Sequence, residues 1–245
     1  MSNRFDEQNL LKKLIEDKLN KDYDKESITD YVEPSPYAIG TLDKYGMPLQ
    51  PKMREMYNRV LSKSVSVVVL EGGTRGGKDV FGLHLWGKVL IYSVNEEHLA
   101  LGVSLEHAIN TIMNSNKFGL KHQIPNGRFE RLSAEGAGNR GLFTFFNVFG
   151  QKRKVHFYGN SKHNDHVKFQ GFTIGTTYVN EGINQHINGI NEARQRMATS
   201  KDGGLMIITQ NPVGTTHKLY TEFEAVYMLT NKEIEFIEET RRNEE

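Results

Sequence analysis

The stretch Val65-Ser66-Val67-Val68-Val69-Leu70-Glu71-Gly72-Gly73-Thr74-Arg75-Gly76-Gly77-Lys78-Asp79 decides the fold. Its first six residues form a β-branched run, as expected of a strand buried on both faces of a sheet. A glycine-rich turn follows at once, and the pattern from 78 to about 88 is helical. Strand, Gly-x-x-x-x-Gly-Lys and helix in that order give the context of a phosphate-binding loop. The reason is physical. Glycines let backbone N–H groups turn inward around phosphate oxygens. The helix adds its positive N-terminal end, and Lys78 adds a point charge. The loop therefore nominates Gly72, Gly73, Thr74, Arg75, Gly76, Gly77, Lys78 and Asp79 as nucleotide-binding residues. ATP with Mg²⁺ is the expected ligand. One position departs from the pattern: the residue after the lysine is ordinarily a Ser or Thr that binds Mg²⁺, and here it is Asp79.

Outward from the loop, strand and helix patterns alternate. Residues 89–94 suggest a second strand, 99–115 a helix, 142–150 and 154–159 a hairpin joined by a basic turn, 176–180 a strand, 183–199 a helix and 204–210 a strand. The expected fold is α/β: a P-loop NTPase with a mainly parallel central sheet flanked by helices, plus a β-hairpin. Leu10, Leu11, Leu14, Ile15 and Leu19 predict an amphipathic helix within 1–30, able to dock on this chain or on a partner. Four of the six prolines fall in 31–52, an irregular lead-in, and 54–62 is helical in pattern. The domain expectation is a helix and lead-in over 1–50, the ATPase domain over 51–230 and a charged tail or linker over 231–245.

Composition narrows the chemistry. The 245 residues contain no cysteine, which excludes disulfides, thiolate zinc sites and a thiol nucleophile. No run approaches the roughly 18 apolar residues of a membrane span. The charge-rich N-terminus is not a secretory signal. Net charge is +1, so any nucleic-acid contact must be local. Lys152-Arg153-Lys154 and the scattered Lys117, Lys121, Arg128 and Arg131 are either solvated surface or DNA-backbone contacts. His156, His163 and His166 with Asp165 are expected to be solvent-exposed rather than metal-bound. No serine nucleophile elbow occurs, and the loop lysine argues against a dinucleotide fold.

Two later strand ends complete the constellation. Tyr178-Val179-Asn180-Glu181 ends one strand where a P-loop ATPase carries Asp-Glu, the Asp holding Mg²⁺ and the Glu orienting and deprotonating water. Glu181 is present, or is an ordinary capping glutamate; Asn180 replaces the Asp. The next strand ends in Thr209-Gln210-Asn211-Pro212, a γ-phosphate sensor or a simple Asn-Pro turn.

With these motifs in order, the sequence resembles the ATPase domain of phage large terminases over roughly 50–225. The loop is similar to that family's Gly-Gly-x-Arg-Gly-x-Gly-Lys, shortened by one residue. Lys168-Phe169-Gln170-Gly171-Phe172-Thr173 and Thr209-Gln210-Asn211-Pro212 with His217-Lys218-Leu219-Tyr220 are similar to its later segments. The resemblance implies that Glu181, Arg75 and Lys78 are catalytic, with Arg75 contacting the γ-phosphate. It implies that Thr209, Gln210 and Asn211 couple hydrolysis to movement, that Arg194 or Arg196 reaches a neighbouring subunit's nucleotide, and that Gln50 and Tyr57 flank adenine. It further implies an ATP hydrolase that moves double-stranded DNA into a procapsid. The motor would act as a homo-oligomeric ring on a portal protein with a small terminase subunit, in the host cytoplasm. The family's nuclease domain begins about where this chain stops, so no nuclease activity is expected here.

The metal positions carry two hypotheses. Asp79 and Asn180 exchange the usual hydroxyl and carboxylate, keeping the charge near Mg²⁺ constant, or the site has degenerated. Two other functions stay open: a helicase-like DNA motor, and a nucleotide-binding assembly protein.

Overall fold

The computed structural model describes residues 41–42, 47–48, 56–57, 59–60, 65–73, 77–115, 118–134, 138–201, 204–212 and 226–229, of which 41–42, 47–48, 134, 138 and 226–229 are described by backbone alone. The chain divides into two units, Met1–Leu49 and Gln50–Glu245. In the first, β1 (Thr41–Leu42) and β2 (Met47–Pro48) pair antiparallel. The expected helix in 1–30 and the charged tail from 231 lie outside the described residues.

The second unit is built on eight strands. These are β3 (Val67–Glu71), β4 (Glu97–Gly102), β5 (Arg128–Ala134), β6 (Gly138–Phe146), β7 (Lys152–Gly159), β8 (Thr176–Asn180), β9 (Leu205–Gln210) and β10 (Val226–Leu229). Their spatial order is β10-β3-β9-β8-β4-β7-β6-β5. From β10 to β7 neighbouring strands are parallel. At one edge β7, β6 and β5 form an antiparallel meander. The helices are α1 (Lys78–Tyr92), α2 (Leu105–Ala108, continued by a π-helical turn, Ile109–Met113), α3 (Leu120–Gln123) and α4 (Ile187–Met197).

The central strands are buried on both faces, which explains why they are continuous apolar runs without alternation. On one face Val67, Val69, Val179, Met206 and Ile208 pack with Ile190, Ala193 and Met197 of α4. On the other lies α1. A Cβ at Gly82 would sit 3.0 Å from Leu70, 3.1 Å from Thr209 and 3.1 Å from Tyr178, so the glycine lets the helix approach the sheet. One turn on, Trp86 stacks on Tyr178 with ring centroids 5.2 Å apart and donates to the Thr176 hydroxyl at 2.9 Å. The result is an α/β fold with a mainly parallel sheet flanked by helices.

Several boundaries correct the sequence expectations. Residues 89–94 are not a strand: α1 continues to Tyr92, because Leu90 and Ile91 extend the buried face begun by Trp86. The strand is Glu97–Gly102, expected as the start of a helix; its poor β-branching is overridden by burial between β8 and β7. The meander's last turn is Asn147–Gly150, closed by the Asn147 side chain accepting from Phe149 N and Gln151 N. Lys152, Arg153 and Lys154 therefore belong to β7, not to a basic turn. Strands β5 and β10 were not foreseen.

Candidate nucleotide site

The parallel strands end on one side of the sheet, and every candidate catalytic residue that the structure describes sits at that carboxyl edge. β3 runs into the glycine loop, whose first residue is tied across to β9: Gly72 N donates to Gln210 O at 3.2 Å. Thr74, Arg75 and Gly76, the middle of the loop, lie outside the described residues. Gly77 leaves the loop in the left-handed region, at φ 77°, where a side chain would be strained. Its carbonyl accepts from Phe81 N at 2.9 Å and opens α1.

Lys78 starts the helix, and its ammonium turns back over the strand ends. It donates to Asn211 Oδ1 at 3.1 Å and to Gly73 O at 3.4 Å, and lies 3.6 Å from Asp79 Oδ2. Lys78 and Asn211, distant in sequence, are thus in contact. Asp79 is half exposed. Its carbonyl accepts a long bond from the Tyr178 hydroxyl at 3.5 Å. Burial, then the Asp79 charge, pushes the Tyr178 phenol up, so it stays a neutral donor.

β8 ends in Asn180, whose amide oxygen accepts from the Thr209 hydroxyl at 3.3 Å. Asn180, Thr209 and Gln210 are buried, whereas Asn211 is exposed. Glu181 follows at φ 55° and ψ 55°, the one left-handed residue other than glycine among the described residues. Its carboxylate lies 3.3 Å from Asn184 Nδ2 and 3.7 Å from His107 Nε2, and is 43% exposed, open to solvent or substrate.

Three expected residues are not brought to this edge. Arg194 and Arg196 lie at the far end of α4. The Arg196 carbonyl accepts from Ile174 N just before β8 begins, and its guanidinium meets Glu192 at 2.6 Å. Any role on a neighbour's nucleotide therefore depends on assembly. Tyr57 is buried, its ring 6.4 Å from that of His84, and so is not offered to a base. Gln50 lies outside the described residues.

The histidine expectation needs a correction. His156 is not exposed: it lies within β7, hydrogen-bonded to Glu97 and stacked 4.6 Å from Phe172. Burial would raise the Glu97 carboxyl, but hydrogen bonds from His156 and Lys154 prevail and lower it to about 2. His163 does gather with His166 and His186, at ring separations of 6.2 and 5.1 Å.

Three residues around the turn that carries Glu181 escaped sequence reasoning: His107, which approaches its carboxylate, and Gln185 and Asn160, which hold the backbone on either side of it. Their partners are distant in the chain, and no motif spacing encodes them. The density of Asn, Gln and His over 180–188 was the available signal.

No family model matches the chain, and no curated protein sequence matches it. Solved structures do. The large terminase of the thermophilic bacteriophage D6E superposes with a TM-score of 0.58 at 15% identity, covering 75% of this chain and 45% of that one. The same enzyme with ADP gives 0.57 at 17% identity, again over 75% of this chain and 45% of that one. With ATP-γ-S it gives 0.57 at 17% identity, over 75% and 44%. This chain thus spans less than half the length of those terminases, and at such identity the likeness establishes a shared fold: a mainly parallel α/β sheet flanked by helices.

Proposed function

We propose that this chain is the ATPase part of a viral DNA-packaging motor, coupling ATP hydrolysis to translocation of double-stranded DNA into a procapsid. The observation that carries the reading is the convergence at one sheet edge of Lys78, Asn211 and Glu181. Lys78 and Asn211 are in hydrogen-bond contact, at 3.1 Å. Glu181 ends a strand two positions from β3, about 10 Å away at the usual strand spacing. That span leaves room for a triphosphate tail at the loop and a water in front of Glu181.

The chemistry follows from these groups. Lys78 leaves its neutral oxygen partners, Gly73 O and Asn211 Oδ1, for the outer phosphates, a stronger charge-assisted pairing. Glu181 orients the water and takes its proton as the oxygen attacks the γ-phosphorus, while the bond to the β–γ bridging oxygen breaks and ADP leaves with that electron pair. Release of Asn211 by Lys78 gives β9 a direct report on phosphate occupancy. Mg²⁺, when bound, would supply charge neutralisation for the phosphates. The oxygen donors of Asp79 and Asn180 suit it, because Mg²⁺ keeps several waters and asks few protein ligands. Arg75 is assigned to the γ-phosphate, and Thr209, Gln210 and Asn211 to coupling. Gln50 and Tyr57 remain proposed adenine neighbours, Tyr57 only after its ring is uncovered. Arg194 and Arg196 are proposed trans contacts in a homo-oligomeric ring. That ring sits on a portal protein, with a small terminase subunit as partner, in the host cytoplasm.

The test is DNase protection of double-stranded DNA incubated with portal-bearing procapsids, ATP and the protein. Protection that requires ATP is expected. Strand separation without protection would favour a helicase-like motor. A second reading, an assembly protein that binds nucleotide without turnover, draws on the departures at Asp79 and Asn180, and binding without hydrolysis would identify it.

A further inference from the structure

Glu181 occupies a backbone region that a residue with a Cβ visits rarely, and such a conformation persists only where its surroundings over-determine it. Those surroundings are visible. The chain leaves Glu181 through a 3₁₀ turn, Gly182–Asn184, and then buries the Gln185 side chain back beneath it. Gln185 Nε2 donates to Asn180 O at 2.7 Å, immediately before Glu181, and to Leu101 O at 3.0 Å on β4. Both donor positions of one amide are thereby used on two different strands.

The amide is braced from behind. Asn160, fully buried just past β7, donates from Nδ2 to Gln185 Oε1 at 3.1 Å and to His186 O at 2.9 Å. Its backbone closes the frame: Asn160 N donates to Gly102 O at 2.9 Å, and Asn160 O accepts from His186 N at 2.8 Å. The ends of β4, β7 and β8 are thus bolted to the two sides of the turn that presents Glu181. Gly189 makes room for this brace, since a Cβ there would lie 2.0 Å from Asn160 Oδ1.

We propose that Gln185, braced by Asn160, is a positioning residue that holds Glu181 in its left-handed conformation and aims its carboxylate at the attacking water. The proposal rests on the ATPase reading above. It makes Gln185 a contributor to turnover and not to nucleotide affinity, because its side-chain hydrogen bonds among the described residues go to Asn160, Leu101 and Asn180 and to no described residue of the glycine loop.

The experiment is ATP-dependent steady-state kinetics on the full chain for wild type, Gln185→Met, Asn160→Ala, Glu181→Gln and the double variant Gln185→Met/Glu181→Gln. Gln185→Met keeps length and loses the donors. It is expected to lower kcat on the order of tenfold or more while KM for ATP stays within about twofold. Asn160→Ala, at the far end of the brace, should show a smaller fall with the same split, and it carries the test if Gln185→Met does not fold. In the Glu181→Gln background the Gln185 change should cost nothing further. An unchanged kcat in a folded Gln185→Met, or equal losses in kcat and ATP affinity, would overturn the inference while leaving the ATPase reading standing. A wild type without turnover would contradict both. A crystal structure of Gln185→Met supplies an independent readout: Glu181 should move to negative φ and part from His107, and a retained φ near 55° would contradict the proposal.

Discussion

Around the glycine loop, charge is placed unusually. Asp79 puts a carboxylate in the first turn of α1, favourable for the helix dipole and 3.6 Å from Lys78, while Asn180 puts a neutral amide at the strand end. If the carboxylate has changed sides, Asp79→Thr combined with Asn180→Asp should retain or raise ATP turnover, and each single change should lower it. Strong activation by Asn180→Asp alone would show instead that the site has degenerated. The glycine loop after β3 and Glu181 after β8 were legible in position, from a Gly-x-x-x-x-Gly-Lys spacing and a polar strand end; phosphate binding and water activation are the roles proposed for them. Gln185 was not, because it lies within the expected 183–199 helix and its partners include Leu101 on β4 and Asn160 just past β7, up to 84 positions away. His107 was not, for the same reason: its approach to Glu181 exists only once α2 has packed against β4 and β7.

At the scale of elements, β3, β8 and β9 were legible, whereas the central β4 and the edge strands β5 and β10 were not. β8 fell at its expected residues and β9 began one residue inside its expected range, since an apolar run of five or six between turn signals has few other uses. β4 was missed because its burial, not its propensity, makes it a strand. Its end is tightly constrained: a Cβ at Gly102 would lie 2.6 Å from Ala108 N. Gly102→Ala should destabilise the protein by about 1–3 kcal/mol, because backbone cannot yield as a side chain does. Urea denaturation followed through the fluorescence of Trp86, the single tryptophan, would measure it. The layer between α1 and the sheet carries a pH dependence. His98 Nδ1 lies 2.9 Å from the Thr176 hydroxyl and Nε2 lies 3.1 Å from Asn95 O. Burial lowers its pKa from 6.5 to about 3, against the opposing pull of the Asn95 carbonyl. The unfolded chain therefore takes up this proton first. The stability from a neutral His98 is complete above pH 6.5 and is lost progressively as pH falls toward about 3. Melting temperature across that range should fall for wild type and fall less steeply for His98→Gln.

At the scale of the whole molecule, the strand order explains how distant sequence motifs become one site. β9 lies between β3 and β8, so its end touches the glycine loop on one side, through Gln210 and Gly72, and the Glu181 strand on the other, through Thr209 and Asn180. Open α/β sheets bind ligands at the carboxyl ends of their strands, and here that edge carries every described member of the proposed catalytic set. The antiparallel meander extends the sheet on the far side, and Asn160, just past β7, links it to the turn that carries Glu181. If the chain is the motor proposed, portal-bearing procapsids and double-stranded DNA should raise its ATP turnover, and procapsids lacking the portal should not. The most direct test of the central claim is steady-state Mg²⁺-dependent ATP hydrolysis by the wild type beside Lys78→Ala and Glu181→Gln. The account predicts turnover in the wild type and a loss of about a hundredfold or more in each variant, with nucleotide binding weakened in Lys78→Ala and kept in Glu181→Gln. Turnover that survives both substitutions would contradict it.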